Sequence, residues 1–186
     1  MIKFDNVCFS YSKKSVLKNF NLSVKNGERV CLFAPSGFGK TTILRLIMSL
    51  EKPNFGVITG ILNKKISAVF QEDRLIPNKT VLENVTLFGG EENAREILGN
   101  LGLESADSLY PNNLSGGMSR RTAIARALNS NGDIYIFDEP FNGIDKENTK
   151  KIADYINKRT ENKTVFLVTH DINEANLLKC KIIYLQ

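Results

Sequence analysis

Two adjacent carboxylates, Asp138 and Glu139, follow a short apolar run, I-Y-I-F, at residues 134–137. Such a run is typical of a strand that is buried on both faces of a parallel sheet. Open α/β sheets bind their ligands at the carboxyl ends of these strands. Two acids side by side at that edge repel each other and lose hydration unless a cation or a polarised water compensates them. The pair therefore predicts a cation or water site, although a solvated charged turn would have the same composition.

A glycine-rich turn, A-P-S-G-F-G-K-T-T at residues 34–42, provides a second candidate site. It lies between a predicted strand at residues 28–33 and a predicted helix with periodic apolar residues at 43–50, which is the context that a phosphate-binding loop requires. Gly37 and Gly39 allow the dihedrals with which backbone N–H groups point at phosphate oxygens. The turn therefore predicts a phosphate-binding loop followed by a helix.

The side chains of this turn support the same chemistry. Lys40 supplies a positive charge for the β- and γ-phosphates, and the Thr41 hydroxyl can ligate Mg²⁺. Ala34 stands where the pattern G-x-x-x-x-G-K-[ST] has its first glycine. Because alanine is small enough for a tight strand exit, we expect weakened affinity at most.

Other polar groups stand at the ends of predicted elements. Gln71 follows the apolar run I-S-A-V-F, and His170, the only histidine, follows T-V-F-L-V-T. Either residue alone is more often solvent-facing or structural than catalytic. Ser115 precedes two glycines and a helical run, and the free N–H groups of such a helix start attract anions.

In this order the motifs resemble the Walker A loop, Q-loop, signature loop, Walker B strand, D-loop and H-loop of ABC-type ATPases. The resemblance extends from Tyr11 to the end of the chain. It implies an α/β fold of the P-loop NTPase type, with a RecA-like parallel sheet core, an N-terminal antiparallel β layer and an inserted helical subdomain. It also implies one ABC ATPase domain over residues 1–186, divided into core and β layer (1–71 and 126–186) and helical signature subdomain (72–125).

The resemblance assigns roles in ATP hydrolysis. Glu139 becomes the general base, Lys40 binds the phosphates, and Gln71 and His170 orient the attacking water. The implied magnesium ligands are Thr41, Gln71 and Asp138. The implied nucleotide-binding residues are Tyr11, stacked on adenine, and Ala34, Pro35, Ser36, Gly37, Phe38, Gly39, Lys40, Thr41 and Thr42.

The signature loop is implied to act on the nucleotide that the other protomer of a dimer holds. Its residues are Leu114, Ser115, Gly116, Gly117 and Met118, with Met118 in place of the usual glutamine. Asp145 of the D-loop is expected to contact the partner chain. For Arg120, Arg121 and Arg126, on the helix predicted over residues 119–128, we expect solvated charges or compensation of the helix dipole.

The implied cofactors are ATP and Mg²⁺. The implied partners are a second nucleotide-binding domain, in a homodimer or a heterodimer, an integral membrane permease and an extracytoplasmic solute-binding protein. Residues 71–85 look most like the ATPases of nitrate, sulfonate and taurine importers, which suggests import of a small solute. Within them, Thr80 and Glu83 have the spacing of a helix capping box.

Composition limits the function classes. The chain has 186 residues, a net charge of +5 without charge blocks, and three widely spaced cysteines. This pattern predicts reduced, buried thiols rather than disulfides or a zinc site. No signal peptide and no apolar run of about 18–20 residues is present, so we expect a cytoplasmic protein held at the cytoplasmic face of the membrane through its permease.

Two alternatives remain. The positive charge would suit a soluble ABC ATPase that acts on nucleic acid or ribosomes, but the coiled-coil insertions or second domain of such proteins are missing, and nucleic acid is the less favoured partner. Ala34, Met118 and the D-loop residues Asn142 and Gly143 would suit a degenerate regulatory module. The intact Lys40, the two acids and His170 argue against it.

Overall fold

The computed structural model describes residues 1–12, 14–35 and 37–185. Ser36, one of the predicted nucleotide-binding residues, lies outside them. The strands are β1 (Ile2–Tyr11), β2 (Lys14–Val24), β3 (Arg29–Phe33), β4 (Phe55–Thr59), β5 (Ile66–Val69), β6 (Ile134–Asp138), β7 (Thr164–Val168) and β8 (Lys181–Tyr184). The α-helices are α1 (Lys40–Ile47), α2 (Val81–Thr86), α3 (Glu91–Asn100), α4 (Gly116–Asn129), α5 (Lys146–Arg159) and α6 (Ile172–Leu177).

The strands form two sheets. β2, β1 and β4 pair antiparallel in an N-terminal layer, while β5, β6, β7, β3 and β8 form a parallel sheet in that spatial order. The predicted α/β fold, with a parallel core and an antiparallel layer, is confirmed.

Both faces of the parallel sheet are covered, which explains why β6 and β7 are apolar at almost every position. On one face Ile136 and Phe166 pack with α1 and the antiparallel layer. On the other face Tyr135 and Leu167 pack with α3, α4, α5 and α6. A fully buried Val, Leu, Ile or Phe side chain contributes about 1.5–3 kcal/mol, so burial of β6 and β7 makes a large contribution to the stability of the sheet.

Local signals set most helix starts. The capping box at α2 is present, because the Thr80 hydroxyl accepts the Glu83 N–H at 3.2 Å and the Glu83 carboxylate accepts the Thr80 N–H at 2.7 Å. Asp171 caps α6, since its carboxylate accepts the Asn173 N–H at 2.8 Å. The helix expected over residues 119–128 begins earlier, at Gly116, because the Ser115 hydroxyl accepts the Met118 N–H and caps it. Residues 91–109 form α3 and a single 3-10 turn, Glu104–Ala106.

The three cysteines are free thiols, as predicted, but the prediction of buried thiols is wrong for Cys8, which lies on β1 and is only partly buried. Cys31 in β3 and Cys180 just before β8 are both buried, and burial raises their pKa to about 12 and about 11, which keeps them protonated. No helix of the described residues is long and apolar enough to cross a membrane.

Candidate active site

Four neighbouring strands of the parallel sheet each lead into a predicted site residue. β5, β6, β7 and β3 lie side by side, and their carboxyl ends continue into Gln71, the acids at 138 and 139, His170 and the glycine-rich loop. All four groups line one cavity of about 350 Å³. Thr41, Thr42 and Tyr11 line it too. Residues that are far apart in sequence therefore meet at one sheet edge because parallel strands end there together.

The glycine-rich loop has the backbone of a phosphate cradle. Gly37 and Gly39 have φ values of 89° and 79°, a left-handed conformation that glycine adopts without strain. Gly39 is also tightly packed, since a Cβ there would lie 3.1 Å from the side chains of Val16 and Leu17. The helix that follows, α1, has neither a side-chain cap nor an acid in its first turn. Its free N–H groups and positive dipole end face the cavity and suit an anion.

Lys40 is folded back over this loop. The side chain is buried, and its ammonium donates hydrogen bonds to the carbonyls of Ala34, at 2.6 Å, and Pro35, at 3.0 Å. The charge is thus held next to the N–H groups that would bind phosphate.

The two acids lie in a poorly hydrated environment. Asp138 is 7% exposed, and burial raises its pKa, partly offset by the charge of Lys40. Burial also raises the pKa of Glu139, partly offset by His170. Within the described residues no group of three or more His, Cys, Asp or Glu side chains could hold a metal. The two carboxylates nevertheless fit Mg²⁺, because protein sites bind this ion through one or two carboxylates together with substrate phosphates.

Glu139 is held in an unusual backbone conformation. Its φ is +52°, and its N–H donates to the Val168 carbonyl at 2.8 Å. Non-glycine residues in this region are strained by about 1–3 kcal/mol and cluster at functional sites. The carboxylate lies 3.1 Å from Nε2 of His170, whose ring is more than half exposed. The acid and the histidine therefore form a pair that faces the cavity.

Two residues that we did not predict hold the histidine turn. Thr169 is buried, accepts the Asp171 N–H at 3.1 Å and donates its hydroxyl proton to Glu174. The sequence signal for them is weak, because a threonine and a glutamate five residues apart have no fixed spatial relation before the turn is known. Together they fix the backbone on which His170 is mounted.

Tyr11 lies at the rim of the cavity, at the end of β1. Its ring is 41% exposed and packs edge-on against Phe9 at 4.8 Å between centroids. Lys14 and Val16 line the cavity next to it.

The predicted signature residues are not among those that line the cavity. They lie at the start of α4, next to the D-loop, where a Cβ on Gly117 would be only 2.9 Å from the Gly143 carbonyl oxygen. Asp145 accepts the Asn148 N–H at 2.9 Å and caps α5. The structure therefore separates the predicted site residues into two groups.

The expectation of solvated arginines on α4 is wrong for Arg120, which is 5% exposed. Arg121 and Arg126 are half-buried, and all three guanidinium groups donate to backbone carbonyls of other segments. Arg126 does lie in the last turn of α4, where a cation compensates the dipole. These arginines mainly connect α4 to neighbouring loops.

Comparison with known proteins agrees with the sequence resemblance. The profile of the ABC transporter family matches residues 17–142, more than half of the chain. The arginine transport ATP-binding protein ArtM of Bacillus subtilis (strain 168) is 36% identical over 100% of this chain and 87% of its own length. The aliphatic sulfonates import ATP-binding protein SsuB 1 of Rhodococcus jostii is 38% identical over 94% and 75%. The dimeric post-hydrolysis structure of the ATP-binding cassette MJ0796 with ADP and Pi has a TM-score of 0.89 and 37% identity, over 100% of this chain and 94% of that one.

Proposed function

This chain belongs to the ABC transporter family, and from that premise we propose that it is the ATP-hydrolysing subunit of an importer whose permease is a separate polypeptide. One observation carries the proposal of hydrolysis: the glycine-rich loop, both acids, Gln71 and His170 line a single cavity at one sheet edge. The two relatives described above are import or transport ATP-binding proteins of small solutes, an amino acid and sulfonates. Because both kinds of solute are small and polar, we propose a small polar solute for this chain as well.

The residues of this cavity divide the work of hydrolysis. The loop N–H groups and Lys40 hold the phosphates, and the partly exposed Tyr11 ring stacks on the adenine ring. Glu139 accepts the proton of the water that attacks the γ-phosphorus, while the bond to the bridging oxygen breaks and ADP leaves. His170 fixes the Glu139 carboxylate at 3.1 Å. Phosphoryl transfer needs mainly positioning and charge neutralisation, so these residues provide the groups that ATP hydrolysis requires of the protein.

Mg²⁺ fits the same site. Thr41, Gln71 and Asp138 all line the cavity, and Asp138 has lost enough hydration to gain from a cation. When bound with the nucleotide, the ion neutralises charge on the β- and γ-phosphates. We propose these three residues as its protein ligands.

In this proposal the signature loop acts on the nucleotide that is bound by a second copy of the chain or by a related chain. Residues 114–118 lie outside their own chain's cavity, and the related cassette MJ0796 is a dimer. Each site would combine one protomer's cavity with its partner's signature loop. In this proposal the cavity belongs to the core (1–71 and 126–186), and the signature loop belongs to the helical subdomain (72–125).

A groove of about 560 Å³ is the proposed docking site of the permease. Its apolar lining includes Leu50 and Phe88, which are 55% and 63% exposed, and Phe70. Arg74 and Lys65 add positive charge. An amphipathic permease segment with an acidic side chain would fit it, and docking there would hold the chain at the cytoplasmic face of the membrane. A solute-binding protein on the other side completes the proposed importer.

ATP hydrolysis at increasing protein concentration tests the proposal. We expect specific activity to rise with concentration as dimers form, and to fall about 10²-fold or more in Glu139→Gln, since a general base contributes about 10²–10⁴-fold. Nucleotide binding should remain. Glu161→Gln, an exposed acid at the opposite end of the sheet, is the matched control and should hydrolyse ATP like wild type.

Equal turnover in Glu139→Gln and wild type would show that Glu139 is not the base. Nucleotide binding without hydrolysis at any concentration, even with a co-purified permease, would favour the degenerate module.

A further inference from the structure

Residues 70–74 connect β5 to the segment before α2 and have no regular secondary structure. Gln71, a proposed magnesium ligand, lies in this segment and lines the cavity. A residue that must contact the ion and the attacking water needs a fixed backbone, because a misplacement of about 1 Å can reduce a rate about 100-fold. The segment itself has no ladder or helix to provide that.

Two arginines of α4 provide it instead. Arg120 donates to the carbonyls of Phe70, at 2.6 Å, and Gln71. Arg126 donates to those of Asp73 and Arg74, both at 2.8 Å. Four of the five carbonyls in residues 70–74 are therefore held from one helix. Within the described part of the chain, these carbonyls accept side-chain hydrogen bonds from no other element.

Burial and charge hold the Arg120 side chain more tightly than that of Arg126. Its side chain is 6% exposed, and its guanidinium lies 3.2 Å from the Asp73 carboxylate, which is 23% exposed. A planar fork can bind two neighbouring carbonyls at once, whereas the point charge of lysine cannot. Arg120 also lies two residues after Met118, on the helix turn that begins with the signature loop.

We propose that Arg120 is a positioning residue that fixes the Gln71 backbone against the helix that begins with the signature loop. Its guanidinium holds the carbonyls of residues 70 and 71, so the Gln71 side chain starts from one fixed backbone position at the cavity. This inference rests on the proposed function, since it concerns the placement of a residue that acts in the same reaction.

Arg120→Lys tests the inference because it keeps the charge and removes the fork. We expect turnover to fall about 10- to 100-fold with nucleotide affinity changed less than about twofold. Amide hydrogen exchange at residues 70–76 of the full chain should become about tenfold faster. Arg29→Lys is the matched control. Arg29 is also a partly buried arginine, and it donates to the Leu178 carbonyl at 2.7 Å. It lies far from the active-site cavity and lines a different cavity, at the opposite end of the sheet.

Arg29→Lys should lower the melting temperature without changing turnover per folded molecule or exchange at residues 70–76. The inference is overturned if exchange there is unchanged in Arg120→Lys, if exchange rises without loss of turnover, or if Arg29→Lys loses turnover to the same degree. A wild-type chain that hydrolyses no ATP would refute the proposed function instead, and the exchange comparison, made with bound ATP, still decides whether Arg120 holds the segment.

Discussion

The strand-end cavity and the signature loop are built in opposite ways. In the cavity the polar side chains pair with groups of the same chain, as Lys40 does with two carbonyls and Glu139 with His170. The signature loop is exposed over Ser115 and Gly116, and its hydroxyl caps its own helix. Buried strands fix the cavity, whereas the signature loop is fixed by the Ser115 cap and by the close approach of Gly117 to Gly143. In the proposed dimer, one half of each site is therefore organised within a single chain, while the other half acts only after the partner has bound.

Mixing of inactive variants is the strongest test of this contrast. Lys40→Ala disables the cavity and Ser115→Arg disables the signature loop, so each homodimer should be inactive. A mixed dimer has one site with both defects and one intact site. If sites act independently, random mixing should restore about a quarter of wild-type ATP hydrolysis in a two-fold dimer.

Lys40→Ala mixed with Glu139→Gln is the control for that experiment. Both changes affect the cavity, so each site of the mixed dimer keeps one defect and no activity should return. Failure of the first mixture to recover activity, with both variants folded and dimeric, would mean that the two regions do not complement each other between chains.

A glycine pair tests how the signature loop is fixed. Gly117→Ala forces a Cβ to within 2.9 Å of the Gly143 carbonyl oxygen, so we expect a loss of about 1–3 kcal/mol in the free energy of unfolding, as for other overpacked sites. Gly116 has open space around its Cβ position, and Gly116→Ala should gain about 0.4–1 kcal/mol through the unfolded state. Denaturant unfolding of both variants measures the difference. Equal effects would show that the D-loop does not restrain the loop.

The smallest expected effect concerns a carboxylate of α2, outside both regions, whose pKa shifts in the opposite direction to those of the cavity acids. Burial raises the pKa of Asp138 and Glu139, whereas a hydrogen bond from the Thr80 backbone lowers the pKa of the exposed Glu83. A lowered carboxyl pKa stabilises the fold above the ordinary value of 4.5, and this contribution is lost as the pH falls through the folded pKa. Glu83→Gln should therefore lower the melting temperature slightly at pH 7.

The difference between Glu83→Gln and wild type should disappear in acid, below the folded pKa of Glu83. Glu72→Gln, an exposed acid outside the helices, is the control and should melt like wild type at both pH values. A difference that persists in acid would mean that the cap does not act through its charge.

Sequence patterns predicted the strand-end cavity well because its geometry follows from chain order. Each site residue stands directly after an apolar run, and once the runs pair in parallel their ends must meet. Helix caps at Thr80 and Asp171 were predictable for a related reason, since a cap depends on residues within one turn of itself.

Contacts between distant segments were not predictable. Arg120 has the composition of a solvated helix residue, and only the path of residues 70–74 across α4 places carbonyls around its guanidinium. The close approach of Gly117 to Gly143 has the same origin. The early start of α4 was locally encoded in Ser115, but two glycines with poor helix propensity concealed it.

The left-handed backbone at Glu139 has a consequence for how such a chain evolves. Glycine or asparagine would occupy φ +52° with less strain than glutamate, by about 1 kcal/mol. Both would remove the carboxylate that we propose as the base. Selection for heat resistance alone would therefore favour the loss of hydrolysis at this position, and only continued demand for turnover keeps a glutamate there. Descendants released from that demand would drift toward more stable chains that bind nucleotide without cleaving it.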